Sequence, residues 1–234
     1  MTDGEIDDVL NRAAGASPEV DPALLESISR SVVSSLAPVR PLPRKSVLVA
    51  AATAICVAVG VGGAAMLGMH GIETMNPVQA GVIFPVLGVL IWLASRVSVS
   101  EMSPGSPRGA APWVWPAAGS LTLLAVFAIL FQEYRTERFV SQGLTCLKAG
   151  LLHAIPTALA TWLLLRRGFA VSPIASGLAL GTLAGLAGVM MLELHCVNFA
   201  APHVMLWHTA VLPLSGILGA SAVWTWRSVT AART

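Results

Sequence analysis

The side chains of this 234-residue chain that could do chemistry are few, and most sit in its second half: Cys146, His153, His195, Cys196, His203 and His208, with His70 upstream. Thiolate and imidazole are soft and borderline ligands, suited to Zn²⁺ or to heavier thiophilic metals. Cys146 and Cys196 could equally serve as a thiol pair or close a disulfide in an oxidising compartment. Cys146 and His153, seven apart, share one face of a helix, while His195–Cys196 and His203 to His208 bracket a single short loop. Cys146, Cys196, His195 and His203 form the candidate ligand set for a transient thiophilic metal ion, with His153 and His208 as accessory ligands. The plainer alternative stands beside it: histidines that hold loops by hydrogen bonds, and cysteines that fill space as small apolar residues. No CxxC or HExxH spacing sharpens the choice. Cys56, between Ile55 and Val57, reads as core. There is no Gly-rich phosphate loop, no Ser/His/Asp arrangement and no zincin motif, so no catalytic residue and no enzyme activity are expected.

The elements that position these residues follow from composition. Hydrophobic residues are 55% of the chain, charged residues 11%, and the mean hydropathy is +0.75. A soluble domain needs more charge to cover its surface, so most of this chain must face lipid or other apolar helices. A net charge of +2 with no basic stripe excludes a nucleic-acid partner. The expected fold is all-α: a polytopic bundle of six transmembrane helices over 46–234, preceded by a short cytoplasmic helical segment over 1–45. The expected spans are 46–69, 78–95, 113–132, 149–165, 171–192 and 204–226, judged against the roughly 20 apolar residues that cross a bilayer core.

Lys and Arg set the orientation. With both termini in the cytoplasm, eleven of the fourteen lie inside and only Arg135, Arg138 and Lys148 outside, as the positive-inside rule requires. The expected location is thus a bacterial inner membrane, with all five histidines and two of the three cysteines toward the outer side. The spans hold no ionisable residue at mid-depth, and Glu193 falls at the outer end of the fifth; ion-coupled transport normally needs such groups. Gly177, Gly181 and Gly185, with Gly188 nearby, make a small-residue face that lets a helix approach, within the chain or in a homodimer.

The N-terminal segment holds seven of the twelve acidic residues in its first 26 positions. It reads as two amphipathic helices. The first is opened by Thr2-Asp3-Gly4-Glu5, a capping-box pattern, carries Ile6, Val9 and Leu10, and stops at Gly15. The second is capped by Asp21-Pro22 and carries Leu25, Ile28, Val32 and Leu36 on one face, ending before Pro38, Pro41 and Pro43. Two apolar stripes on acidic helices suit a basic protein partner with a hydrophobic groove. They could also pack on each other or lie on the bilayer, although anionic lipid repels acidic faces.

The arrangement resembles the negative-regulator-of-sigma-F family of six-helix bacterial membrane anti-sigma factors. The residues that carry the resemblance are Leu192-Glu193-Leu194-His195-Cys196 followed by His203-Val204-Met205-Leu206-Trp207-His208. Arg166-Arg167-Gly168, and Cys146 ahead of His153-Ala154-Ile155-Pro156, also match. Val197 departs from it, standing where a proline is expected. The likeness covers about 40–226, and implies that the N-terminal segment sequesters an extracytoplasmic-function-type sigma factor. It implies further that Cys146 and Cys196 take part in releasing that factor under metal or oxidative stress. The rival readings are a metal transporter and a membrane thiol–disulfide protein using the same Cys/His cluster.

Overall fold

A computed structural model describes residues 3–15, 21–35, 42–103, 105–106, 110–168, 170 and 172–231. Side chains are described for all of these except Asp3, Leu10, 13–15, Ser35, Arg227 and 229–231. The chain divides into two compact units, Met1–Pro41 and Leu42–Thr234.

The first unit contains α1 (Asp3–Gly15) and α2 (Pro22–Ser35). Asp21 starts α2: its carboxylate accepts from the Ala23 N–H at 2.9 Å and its carbonyl from the Leu25 N–H at 3.1 Å. Pro22 at the first helical position loses nothing, because its missing N–H would have had no helical partner. Arg30 pairs with Glu26 one turn back at 2.9 Å, an exposed pair that adds little. The apolar stripes stay open to solvent: Ile6, Val9, Leu25, Ile28 and Val32 are 38–53% exposed. Thr2, Leu36, Pro38 and Pro41 lie outside the described residues, as does the side chain of Leu10.

The second unit is built around one helix. Its elements are α3 (Lys45–Leu67), α4 (His70–Thr74), α5 (Pro77–Glu101), α6 (Val114–Leu130), α7 (Phe139–Leu165), α8 (Pro173–His195), α9 (Ala201–His203), a π-helical turn (Val204–His208) and α10 (Thr209–Ala231). No described residue is in a strand. α3, α5, α7 and α10 all pack on α8, and from Ala175 to Leu194 nearly every α8 residue is buried. The core runs along α8 from Leu183 to Leu194 and takes in Cys56, Ile83, Leu87, Ile91, Leu123, Phe127 and Leu212.

The small residues of α8 are what permit this packing. A Cβ on Gly177 would lie 2.6 Å from the Gly219 carbonyl oxygen, and one on Gly185 would lie 3.0 Å from the Ser215 Cβ. One on Gly181 would overlap the Ser215 carbonyl, and one on Gly188 the Gly150 carbonyl. The glycine face is therefore filled within the chain, by α10 and α7.

Among the described residues five helices, not the expected six, are long and apolar enough to cross a membrane: Lys45–Leu67, Pro77–Glu101, Phe139–Leu165, Pro173–His195 and Ala201–Trp226. The expected third span shrinks to α6, whose 17 residues rise only about 25 Å before Phe131 turns extended. The spans expected to be shortest, 78–95 and 149–165, lengthen to helices of 25 and 27 residues. Arg96 and Lys148, each one residue outside an expected span, continue the helix, and Arg96 folds back over the Trp92 ring at 4.8 Å. The apolar window underestimates a helix whose end turns carry polar residues.

α5 begins with a reciprocal cap. Asn76 Oδ1 accepts from the Gln79 N–H at 2.9 Å, and Gln79 Oε1 accepts from the Asn76 N–H at 3.0 Å. Gln79 Nε2 also donates to the Leu130 carbonyl at 3.2 Å, bringing the end of α6 to the start of α5. Asn76→Ala removes the cap and should cost about 1 kcal/mol. Thermal unfolding in detergent should then shift down by about 2–4 °C, the size expected for a chain of this length.

Candidate functional site

Four of the candidate residues meet at one end of the bundle. Cys146 sits two turns into α7. Cys196 follows α8 and donates its N–H to the Leu192 carbonyl at 2.7 Å. His203 closes α9, and His208 closes the π-helical turn. The Cys146 and Cys196 sulfurs are 3.7 Å apart, and Cys196 Sγ is 3.6 Å from His203 Nε2. The ligand atoms of Cys146, Cys196, His203 and His208 all lie within 4.8 Å of one another. Cys196, His203 and His208 are buried and Cys146 partly so; all three cysteines are free thiols.

The π-helical turn explains how the two histidines converge. At 3.6 residues per turn, side chains five apart would point about 140° away from each other. Here the Thr209 N–H reaches the Val204 carbonyl, an i→i+5 bond, and the wider turn brings His203 and His208 to one face. Their rings meet edge to face with centroids 5.2 Å apart. Gly143 makes room for the bulge, since a Cβ there would overlap the Trp207 ring.

The loop between α8 and α9 is held on both sides. Asn198 accepts from the Ala200 N–H at 3.1 Å and donates to Gln142 Oε1 at 2.9 Å. The Ala201 N–H donates to the Glu133 carbonyl at 2.7 Å, and Phe199 stacks on Phe131 at 5.3 Å. Val197 is exposed and makes no part of the donor set.

The remaining histidines have other partners. His195 donates from Nδ1 to the Gly68 carbonyl at 2.8 Å, and its ring lies 6.3 Å from that of His70. His70 lies 3.6 Å from Glu73 at the surface. His153 donates to the Ala149 carbonyl at 2.9 Å and packs against Gly63. So His195, reckoned a ligand from sequence, holds the end of α3, while His208, reckoned accessory, joins the donors. Cys56 is fully buried in the core and donates to the Leu183 carbonyl at 3.4 Å.

Sequence reasoning missed what stands behind His208. Its Nδ1–H donates to Glu193 Oε1 at 2.6 Å, and both side chains are wholly shielded. Glu193 belongs to the last turn of α8, facing inward rather than toward an interface. The available signal was one acidic residue in an otherwise uncharged helix, since such groups in apolar helices are retained only with a partner.

Two edges of the donor set match those of a tetrahedral metal, while other ligand atoms stand up to 4.8 Å apart. Zn–S and Zn–N bonds of about 2.3 and 2.0–2.1 Å imply S···S and S···N edges of about 3.8 and 3.6 Å. The observed 3.7 and 3.6 Å lie on those edges. Among the described residues the buried His208 Nε2 has no hydrogen-bond partner, which leaves it available as a ligand atom. The same thiol pair lies close enough for oxidation to a disulfide after a short approach of the sulfurs. At Cys196, hydrogen bonding with Cys146 and then burial push the thiol above its ordinary range, while His203 and His208 pull it down. The unaided thiol is therefore held in its protonated form, and a metal must displace that proton to bind.

Comparison with curated proteins and with solved structures found no match. Comparison with protein families did: the profile described as Negative regulator of sigma F matches residues 32–226. That range starts within α2 and takes in the whole candidate site and nearly all of α10. Covering more than four-fifths of the sequence, it shows that the chain belongs to the negative regulator of sigma F family.

Proposed function

We propose that this chain is a membrane-bound anti-sigma factor whose N-terminal segment holds an extracytoplasmic-function-type sigma factor and lets it go on an outer-side metal or redox signal. The family match carries the anti-sigma half. The convergence of Cys146, Cys196, His203 and His208 within 4.8 Å supports the sensing half. The docking face is Ile6, Val9, Leu10, Leu25, Ile28, Val32 and Leu36, of which the described side chains are open to a partner. Holding the sigma factor on the membrane raises its local concentration at the docking segment without adding contacts.

α6 completes a sixth crossing in this reading. Its far end returns to the start of α5 through Gln79 and Leu130, and polar residues after Phe131 cover the shortfall by thinning the local bilayer. The chain then lies in the inner membrane with both termini cytoplasmic, as its Lys and Arg distribution favours.

The signal acts on the start of the last span. Capture of a thiophilic cation replaces two S–H bonds with metal–sulfur bonds and releases two protons. Oxidation instead joins the sulfurs, with two electrons and two protons passing to the oxidant. Either change draws the end of α8, the π-helical turn and α7 into a new spacing. α10 and α3 both pack on α8, and α3 begins at Lys45, where the docking segment ends. A tenfold release requires only about 1.4 kcal/mol of difference between the two states.

Affinity capture from membranes with the detergent-solubilised chain tests both halves. The full-length protein should retain a sigma factor, and a form lacking 1–45 should lose it. Cadmium or a thiol oxidant should cut retention at least tenfold, and Cys146→Ser with Cys196→Ser should remove that response. A sigma factor captured equally without 1–45 overturns the docking assignment. An undiminished response in the double serine variant overturns the sensing assignment.

A further inference from the structure

We infer that Glu193 is a positioning residue for metal capture: its carboxylate fixes the tautomer and orientation of His208 so that the bare Nε2 faces Cys146 and Cys196. The inference rests on the reading that the four-donor cluster takes a thiophilic divalent cation. It adds a fifth residue, whose hydrogen bond goes to His208 and not to a sulfur.

Three observations converge on it. Glu193 Oε1 accepts from His208 Nδ1–H at 2.6 Å, which leaves Nε2 as the nitrogen able to bind a metal. Both side chains are wholly buried, and among the described residues no group stands in hydrogen-bonding geometry to His208 Nε2. The bond spans fifteen residues, from the last turn of α8 to the π-helical turn, so it locks the ring across two elements. Metal-binding imidazoles commonly donate their other N–H to a carboxylate, which raises their basicity and sets their direction. A purely structural brace would not need to set its imidazole within 4.8 Å of two thiols. The second carboxylate oxygen, also buried without a partner, marks how far the site departs from what folding alone favours.

Co²⁺ and Cd²⁺ titrations of the detergent-solubilised full chain test it. The parent should bind Co²⁺ with a sulfur-to-cobalt charge-transfer band in the near ultraviolet. Glu193→Gln keeps an acceptor but loses the charge, and should weaken Cd²⁺ about tenfold. Glu193→Leu removes the acceptor and should weaken it toward a hundredfold. Glu193→Asp should recover part of the loss. The nitrogen-15 shifts of His208 should show one tautomer in the parent and a mixture in Glu193→Leu. Should the leucine form fail to fold, the glutamine and aspartate forms carry the test.

The outcomes separate cleanly. Parent-like Cd²⁺ affinity and an unchanged His208 tautomer in Glu193→Gln and Glu193→Asp, with the charge-transfer band present and lost in Cys196→Ser, overturn the role of Glu193 and leave the cluster a metal site. Absence of the band in the parent overturns the metal reading, and the inference falls with it.

Discussion

Replacing Gly181 with valine should destabilise the chain by at least about 3 kcal/mol and remove most of the folded, monodisperse protein from detergent extracts. A side chain there meets the Ser215 carbonyl oxygen and carbon and the Gly216 Cα, all backbone atoms of α10. No rotamer relieves such a clash, so α8 and α10 must separate, and overpacking at well-fitted positions already costs 1–3 kcal/mol when side chains can yield. The approach is mutual, since a Cβ on Gly219 would overlap the Gly177 carbonyl. Gly88→Ala is the control. Nothing lies within 4 Å of a Cβ there, and removing a helical glycine should be neutral or gain about 0.5–1 kcal/mol. Thermal unfolding of both variants decides the matter. If Gly181→Val melts within about two degrees of the parent, the two helices do not pack as described.

His208→Leu should cost about 3–5 kcal/mol, because it strands the Glu193 carboxyl in the core without a partner. Glu193→Leu should cost a similar amount by stranding the imidazole. The double variant should recover much of the loss, since a buried polar pair replaced by apolar residues of like size is often near neutral. A double-variant cycle measured by unfolding in detergent should therefore show a coupling of about 2 kcal/mol or more. Losses that simply add, within about 0.5 kcal/mol, would mean that the two groups do not bond in the folded protein. The double variant should bind no thiophilic metal, which separates its recovered stability from its lost chemistry.

Much of this arrangement can be read from the residues. The Asp21-Pro22 start of α2 follows from local hydrogen-bonding rules, and the glycines of α8 announce a close neighbour without saying which. The two cysteines and His203 stand out because soft ligands are rare in so apolar a chain. What escapes the sequence depends on a departure from regular geometry. His203 and His208 belong on different sides of an ideal helix, and only the i→i+5 turn joins them. Glu193 looks interfacial because its position near a helix end is visible, whereas its direction depends on where α10 packs. The length of α6 escapes for a related reason: an apolar window counts Phe131, whose backbone is extended, and the residues that border the helix.

The near-complete enclosure of α8 also bears on how the protein is made. Helices leave the ribosome and enter the bilayer in chain order, so α8 arrives before the segment that covers its glycine face and before His208 exists to meet Glu193. During that interval the nascent chain carries an acidic group whose partner has not yet been made, and a groove of small residues with nothing packed in it. Arrival of α10 removes both at once. The step that makes the product stable thus comes with α10, and a chain stopped short of residue 209 would present membrane proteases with an unmistakable unfinished surface.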